Sequence, residues 1–146
     1  MRVVNEFKMT LPSRSANESF SRVAVTAFFA QLDPTIDEIA DIKTAVSEAV
    51  TNAIVHGYRN EIGYIYIHGK IFEDATVYIK IRDRGCGIAD IKKAMEPMFT
   101  TAPNEERAGL GFAVMQSFMN KVRVYSNLGK GTTVVMTKKL ASRDNV

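Results

Sequence analysis

Apolar and polar positions along the chain change period several times, and the changes mark out its elements. Phe7, Met9 and Leu11 alternate with polar neighbours, which predicts a first strand ending at Pro12. Ser13, Ser15 and Asn17 offer helix caps. Phe20, Val23, Ala24, Ala27 and Phe28 then form one stripe, predicting a first helix to about Gln31 with that stripe in the core. Asp33-Pro34 opens a second helix, because proline suits a first turn. Its stripe is Ile39, Ile42, Val46, Ala49, Val50 and Ala53, and Gly57 is its stop. Alternation returns over Tyr64–Phe72 and Thr76–Arg82, with turns at Asn60–Gly63 and Glu73–Asp74. A short helix is predicted from near Ala89 to before Pro97, followed by a polar, turn-rich loop over residues 98–108. Another helix opens at Gly109-Leu110-Gly111, and Lys121–Ser126 and Thr132–Lys139 form two last strands. This order predicts an α+β sandwich, with helices on one face of a largely antiparallel sheet.

The totals fit one soluble domain over residues 1–146. The hydrophobic fraction is 46% and the charged fraction 24%. No apolar run approaches the ~18 residues that span a membrane, and Met1-Arg-Val-Val-Asn-Glu6 shows no signal-peptide apolar region. A cytoplasmic protein without a membrane partner is expected. The single cysteine, Cys86, excludes an internal disulfide and reads as a small residue in a tight loop. The net charge is +3, but the basic residues are scattered along the sequence with no aromatic-interleaved cluster. Direct nucleic-acid binding is therefore not expected. Acidic proteins or a polyphosphate fit the charge at least as well.

Glu48 and Asn52 carry the first sign of chemistry. They stand four residues apart in Ser47-Glu-Ala-Val-Thr-Asn-Ala-Ile-Val-His-Gly57, so they stack on one helix face, away from the apolar stripe. A solvated face is one reading. The crowding by Ala49, Val50, Ala53, Ile54 and Val55 favours the other, a partly buried carboxylate with a partner or a task. Three glycine segments follow: Asp83-Arg-Gly85-Cys-Gly87, Gly109-Leu110-Gly111 and Gly129-Lys-Gly131-Thr132. Glycine permits close backbone approach, and the first amides of a helix are free to meet an anion. Each segment alone is also an ordinary turn. Glu18, Arg22, Val25 and Phe29 lie on the face of the first helix opposite its predicted core stripe, which suggests a contact surface for a second copy or another protein.

The order and spacing of the four segments are specific. Glu48-x-x-x-Asn52, Asp83-x-Gly85-x-Gly87, Gly109-x-Gly111 and Gly129-x-Gly131-Thr132 resemble the N, G1, G2 and G3 boxes of the GHKL ATPase/kinase superfamily. No Walker-A motif is present. The stretches Asn17-Glu-Ser-Phe20, Ala30-Gln-Leu-Asp-Pro-Thr35, Ser47–Tyr58 and Phe99-Thr-Thr101 resemble the anti-sigma F factors of spore-forming bacteria.

The resemblance implies a Bergerat-type sandwich that binds ATP or ADP with Mg²⁺. It also implies inhibition of a sporulation sigma factor and phosphorylation of an anti-anti-sigma protein on serine. On these residues, Glu48 would be the general base and Asn52 the magnesium ligand. Asp83 would read the adenine amine, Gly85 and Gly87 would let the base lie close, and Thr132 would support it. The amides of Gly109, Leu110 and Gly111 would meet the phosphates. Residues 98–108 would form a lid from which Thr100, Thr101 and Arg107 reach the phosphate end. Arg84 and Cys86 depart from the acidic and aliphatic residues common in that glycine loop. His56 and His68 have no phosphoacceptor helix before them and read as structural. The alternative is a non-catalytic, nucleotide-gated protein-binding module.

Overall fold

In the computed structural model, residues 1–95 and 103–141 are described, apart from the side chains of Lys93 and residues 103–110. The strands are β1 (Val3–Pro12), β2 (Tyr64–Phe72), β3 (Thr76–Asp83), β4 (Lys121–Asn127) and β5 (Gly131–Lys139). The helices are α1 (Ala16–Phe29), α2 (Ile36–Asn52), α3 (Ile91–Met95) and α4 (Pro103–Phe118). All strand pairings are antiparallel, in the order β1-β2-β3-β5-β4. The helices lie on one face, with α2 packed between α1 and α4. This is the expected two-layer α+β sandwich.

Strand alternation builds one side of the core. Ile65, Ile67 and Ile71 of β2 and Val77, Ile79 and Ile81 of β3 are all buried, as are Val134 and Met136 of β5. The stripe of α2 meets them through Ile42, Val46, Ala49 and Val50, continued by Ala53 just past the helix end. At roughly 1.5–3 kcal/mol for each large side chain removed from water, this contact dominates the folding energy. Helix α2 starts at Ile36, two residues beyond Pro34. Thr35 caps it, accepting from the Glu38 amide at 3.0 Å, while the Glu38 carboxylate accepts from the Thr35 amide at 2.9 Å.

The structure corrects α1. Val25 and Phe29, expected on a contact surface, are fully buried, whereas Phe20 and Val23 of the expected core stripe are 53% and 59% exposed. The inward stripe is Ser21, Val25 and Phe29, continued by Leu32 in the 3₁₀ turn Ala30–Leu32. Ser21 disguises it. Its hydroxyl is satisfied within the helix, donating to the Asn17 carbonyl at 2.6 Å, so a polar residue sits in the core without an unpaired group. Glu18 and Arg22 remain half-exposed and lie 3.9 Å apart.

A second correction concerns α4. It begins at Pro103, so residues 103–108 are helical rather than loop, and proline stands at the first helical position. Gly109, Leu110 and Gly111 are then interior positions. Their amides are no longer among the free donors of a helix start, and a phosphate site built on them as such is not supported. Thr100 and Thr101 lie outside the described residues, as do the side chains of Arg107 and Leu110.

Candidate functional site

Asp83 ends β3 with its side chain directed inward. It is 5% exposed, and its carboxylate accepts hydrogen bonds from the backbone of Gly85, at 2.9 Å, and of Thr132. Burial pushes its pKa up, against the pull of those two amides. A buried carboxylate of this kind can accept one more hydrogen bond from an amine that enters the cavity in front of it.

The backbone around Asp83 leaves no room for side chains. A Cβ on Gly57 would lie 2.8–2.9 Å from the Asp83 carboxylate, and one on Gly85 would meet the Gly57 carbonyl at 2.0 Å. The Cys86 amide donates to that same carbonyl at 2.8 Å. Gly87 has φ +74° and abuts the Asn127 carbonyl, while the Gly129 amide donates to Cys86 at 2.7 Å. The glycine loop is thus stapled to the end of α2 on one side and to the β4–β5 turn on the other. Gly85 serves this fit from behind Asp83. Gly87 faces the cavity.

That cavity has a volume of about 550 Å³, ample for a nucleoside. Ile81, Phe112 and Val134 line its apolar part, and Asp83, Thr132 and Asn52 bring polar groups into it. Leu128, 71% exposed, stands at its edge. A flat heteroaromatic ring with an exocyclic amine matches this lining: apolar walls for its faces and one buried acceptor for its edge.

Glu48 and Asn52 meet α4 beside the cavity. A Cβ on Gly111 would lie 3.0 Å from Asn52 Nδ2, 3.1 Å from Asn52 Oδ1 and 3.2 Å from Glu48 Oε2. Gly111 therefore earns its place as the gap into which both side chains fit. Asn52 Nδ2 is buried without a hydrogen-bond partner among the described residues. An orphaned amide beside a cavity is costly and suits a site completed by a ligand's oxygen atoms. Burial raises the Glu48 pKa, and the negative charge of Glu18 raises it further. The Glu18 carboxylate itself accepts from the Ser47 hydroxyl.

No group of three or more His, Cys, Asp or Glu gathers among the described residues. The described residues thus build no metal site from those side chains alone. Magnesium is compatible, because it asks for few protein ligands and takes the rest from water and phosphate; the Asn52 amide oxygen would be the protein's share.

Of the predicted residues, Asn52, Asp83, Gly87 and Thr132 line one cavity, with Glu48 and Gly111 beside it. Two supporting residues were not foreseen. Ser126 Oγ accepts from the Ile88 amide at 2.7 Å, donates to the Gly131 carbonyl at 3.0 Å and lies 2.9 Å from Thr132 Oγ1. Tyr58, 6% exposed, donates to the Tyr64 carbonyl and accepts from the Arg84 amide at 2.8 Å, bracing the glycine loop. A large aromatic directly after Gly57 was the available signal for Tyr58. A lone serine in a strand gave none for Ser126.

Residues 11–138 match the histidine kinase-like ATPase domain family. The chain is similar to the anti-sigma F factor of Thermoanaerobacter sp. (strain X514), with 57% identity over 97% of this chain and 99% of that one. It is also similar to the anti-sigma F factor of Geobacillus thermodenitrificans, with 53% identity over 94% of each. Among solved structures, the RsbU and RsbW domains of Rv1364c from Mycobacterium tuberculosis share the fold, with a TM-score of 0.69 at 22% identity; the match covers 96% of this chain and 34% of that one. The blue-light activated histidine kinase of Erythrobacter litoralis gives a TM-score of 0.58 at 16% identity, over 85% of this chain and 42% of that one. No helix among the described residues is long and apolar enough to cross a membrane. A buried carboxylate over an apolar cavity, an orphaned amide and a carboxylate beside it are thus set in a familiar frame: the chain belongs to the anti-sigma F factor family, built on a histidine kinase-like ATPase domain.

Proposed function

We propose that the chain is an ATP-dependent protein-serine kinase and anti-sigma factor. It binds and inhibits a sporulation sigma factor, and it phosphorylates an anti-anti-sigma protein on serine. The names of its relatives support the sigma-factor partner. The observation that carries the chemistry is Glu48, held against Gly111 next to the unpartnered amide of Asn52.

Asp83 holds the adenine edge by accepting from its amine, and Ile81, Phe112 and Val134 exclude water from the ring. Asn52 receives the phosphate end. Magnesium, when bound, neutralises charge on the phosphates. Glu48, with its pKa raised by burial and by the charge of Glu18, is a stronger base than a free carboxylate. As the serine oxygen bonds to the γ-phosphorus, the bond from that phosphorus to the bridging oxygen breaks and ADP departs. The serine proton passes to Glu48 Oε2. The active unit is a homodimer in the cytoplasm.

The test is Glu48→Gln, assayed with γ-labelled ATP and a cell lysate or a purified anti-anti-sigma protein. Phosphotransfer falls by roughly 10²-fold or more, while the nucleotide Kd stays within a few fold. Normal labelling by the variant refutes the base assignment. Tight ATP binding by the native chain with no labelled protein refutes the kinase and leaves a nucleotide-gated binding module.

A further inference from the structure

Three residues that face one another across β3, β5 and β4 form a polar row at the end of the inward sheet face. Asp83 pairs with Thr132, and Thr132 pairs with Ser126. Asp83 and Thr132 line the cavity, and Ser126 stands behind Thr132, one strand further out.

Counting hydrogens fixes the direction of each bond made by Ser126. Its hydroxyl oxygen is 2.7 Å from the Ile88 amide, which can only donate to it. It is 3.0 Å from the Gly131 carbonyl, which can only accept, so the single Ser126 proton lies on that contact. The third contact, 2.9 Å to Thr132 Oγ1, needs a hydrogen too. Ser126 has none left, so Thr132 donates its own. Thr132 therefore meets the cavity with its proton spent and only lone pairs to offer. The Asp83 carboxylate beside it accepts from the amides of Gly85 and Thr132 and likewise offers lone pairs.

We propose that Ser126 is a specificity-determining positioning residue: by taking the Thr132 proton it makes this wall of the cavity all acceptor, which selects a 6-aminopurine nucleotide over a 6-oxopurine one. The inference rests on the reading of the cavity as an adenine-nucleotide site. Asp83 alone does not make that choice, because a carboxylate also accepts from the ring N–H of a 6-oxopurine. A second acceptor beside it does. An exocyclic amine brings two hydrogens, one for each acceptor. A 6-oxopurine brings one hydrogen and an oxygen, and buried lone pairs that face one another stay unsatisfied, a cost of roughly 5- to 100-fold in affinity. Ser126 touches no ligand and acts through Thr132. Without it, the Thr132 hydroxyl turns freely and donates into the cavity to either kind of ring.

The experiment is calorimetry of the full chain with ADP and with inosine diphosphate, which carries an oxygen in place of the amine, at one magnesium concentration. The native chain should bind ADP tighter by roughly tenfold or more. Ser126→Ala should narrow that ratio by roughly fivefold or more. It also strands the Ile88 amide and the Gly131 carbonyl, so a lower melting temperature is expected; a merely structural role would weaken both nucleotides by the same factor and leave the ratio alone. If Ser126→Ala is too unstable to titrate, Ser126→Cys replaces it, because sulfur is a weak acceptor, and the same narrowing is expected. Ser126→Thr keeps the hydroxyl in a strand that suits a β-branched residue, and should keep the native ratio. Thr132→Val should narrow the ratio as Ser126→Ala does, and combining the two should narrow it no further. An unchanged ratio in Ser126→Ala with native discrimination intact overturns the proposal and leaves the adenine reading standing. So does a narrowed ratio in Ser126→Thr. Equal affinity of the native chain for the two nucleotides, or binding of neither, overturns the adenine reading and the proposal with it.

Discussion

Gly111→Ala separates folding from catalysis in this chain. Gly111 lies inside α4, where alanine is preferred to glycine by about 0.8–1.0 kcal/mol. The new methyl group would sit 3.0 Å from Asn52 Nδ2 and 3.2 Å from Glu48 Oε2, a few tenths of an ångström too close. Both neighbours are half-buried side-chain ends, so they can yield. The overpacking cost then stays near the lower end of the usual ~1–3 kcal/mol, and the two effects nearly cancel. The melting temperature should move by no more than about 3–4 °C, the shift expected for ~1 kcal/mol in a domain of this size. Phosphotransfer should respond differently. The atoms displaced are the proposed base and metal ligand; since a 1 Å misplacement can cost ~10²-fold, a shift of a few tenths of an ångström costs roughly 3- to 10-fold. Single-turnover transfer from γ-labelled ATP should fall roughly 3- to 10-fold, while the ADP Kd, assigned to Asp83, changes less than about twofold. Native turnover in the variant would refute the role given to Gly111. A loss of turnover matched by an equally large loss of stability would refute the separation.

Two other outcomes follow from burial. Asp83→Asn should weaken ATP binding at least tenfold, measured by calorimetry. It should not destabilise the apo chain at neutral pH, because burial raises the Asp83 pKa and the charged form is the costly one. With the folded pKa above the unfolded one, the stability contributed by Asp83 is complete below the unfolded value and is lost as pH rises through the folded value. Glu48, also raised, has the same sign. Urea melts from pH 4 to 8 should therefore show a flatter decline for Asp83→Asn than for the native chain; an equal or steeper decline counts against the assignment. Phe29→Ala should cost about 3–5 kcal/mol in urea unfolding, and Phe20→Ala no more than about 0.5. The reverse ranking would mean that α1 buries its other face.

The two glycines of α4 and the two faces of α1 show what a linear reading captures. Alternation over β2 and β3 was legible because a period of two has one inward set, and Ile65–Ile71 and Val77–Ile81 fill it. On α1 two apolar stripes competed, and counting apolar residues favoured Phe20 and Val23. The inward stripe was distinguished by Leu32, which continues it past the helix end, and by a serine that satisfies its own hydroxyl. At α4 the glycines drew attention from Pro103 and the acidic Glu105 and Glu106, which are better signs of a helix start. The identities of Glu48, Asn52 and Asp83 were legible as residues out of keeping with their neighbours. The seating of Gly57 on Asp83 and the hub at Ser126 depend on pairing between distant segments, which no local pattern records.

The join between the two halves of the site is the π turn Ala53–Gly57, in which the Tyr58 amide reaches back to the Ala53 carbonyl at 3.0 Å. One extra residue in a turn widens the helix and changes which side its end presents. Asn52, the last α-helical residue, stays against α4, while Gly57 lands on the Asp83 carboxylate. On the proposed assignment, a nucleotide lying between them is gripped at both ends by one continuous segment, pinned to the sheet by the Cys86 amide on the Gly57 carbonyl. That assignment joins base recognition to the α2 side of the phosphate site, and it leaves a difference between nucleotide states to be carried by what packs onto this unit. Its first contact is α4, at Gly111, where a helix meets Glu48 and Asn52 with no side chain between.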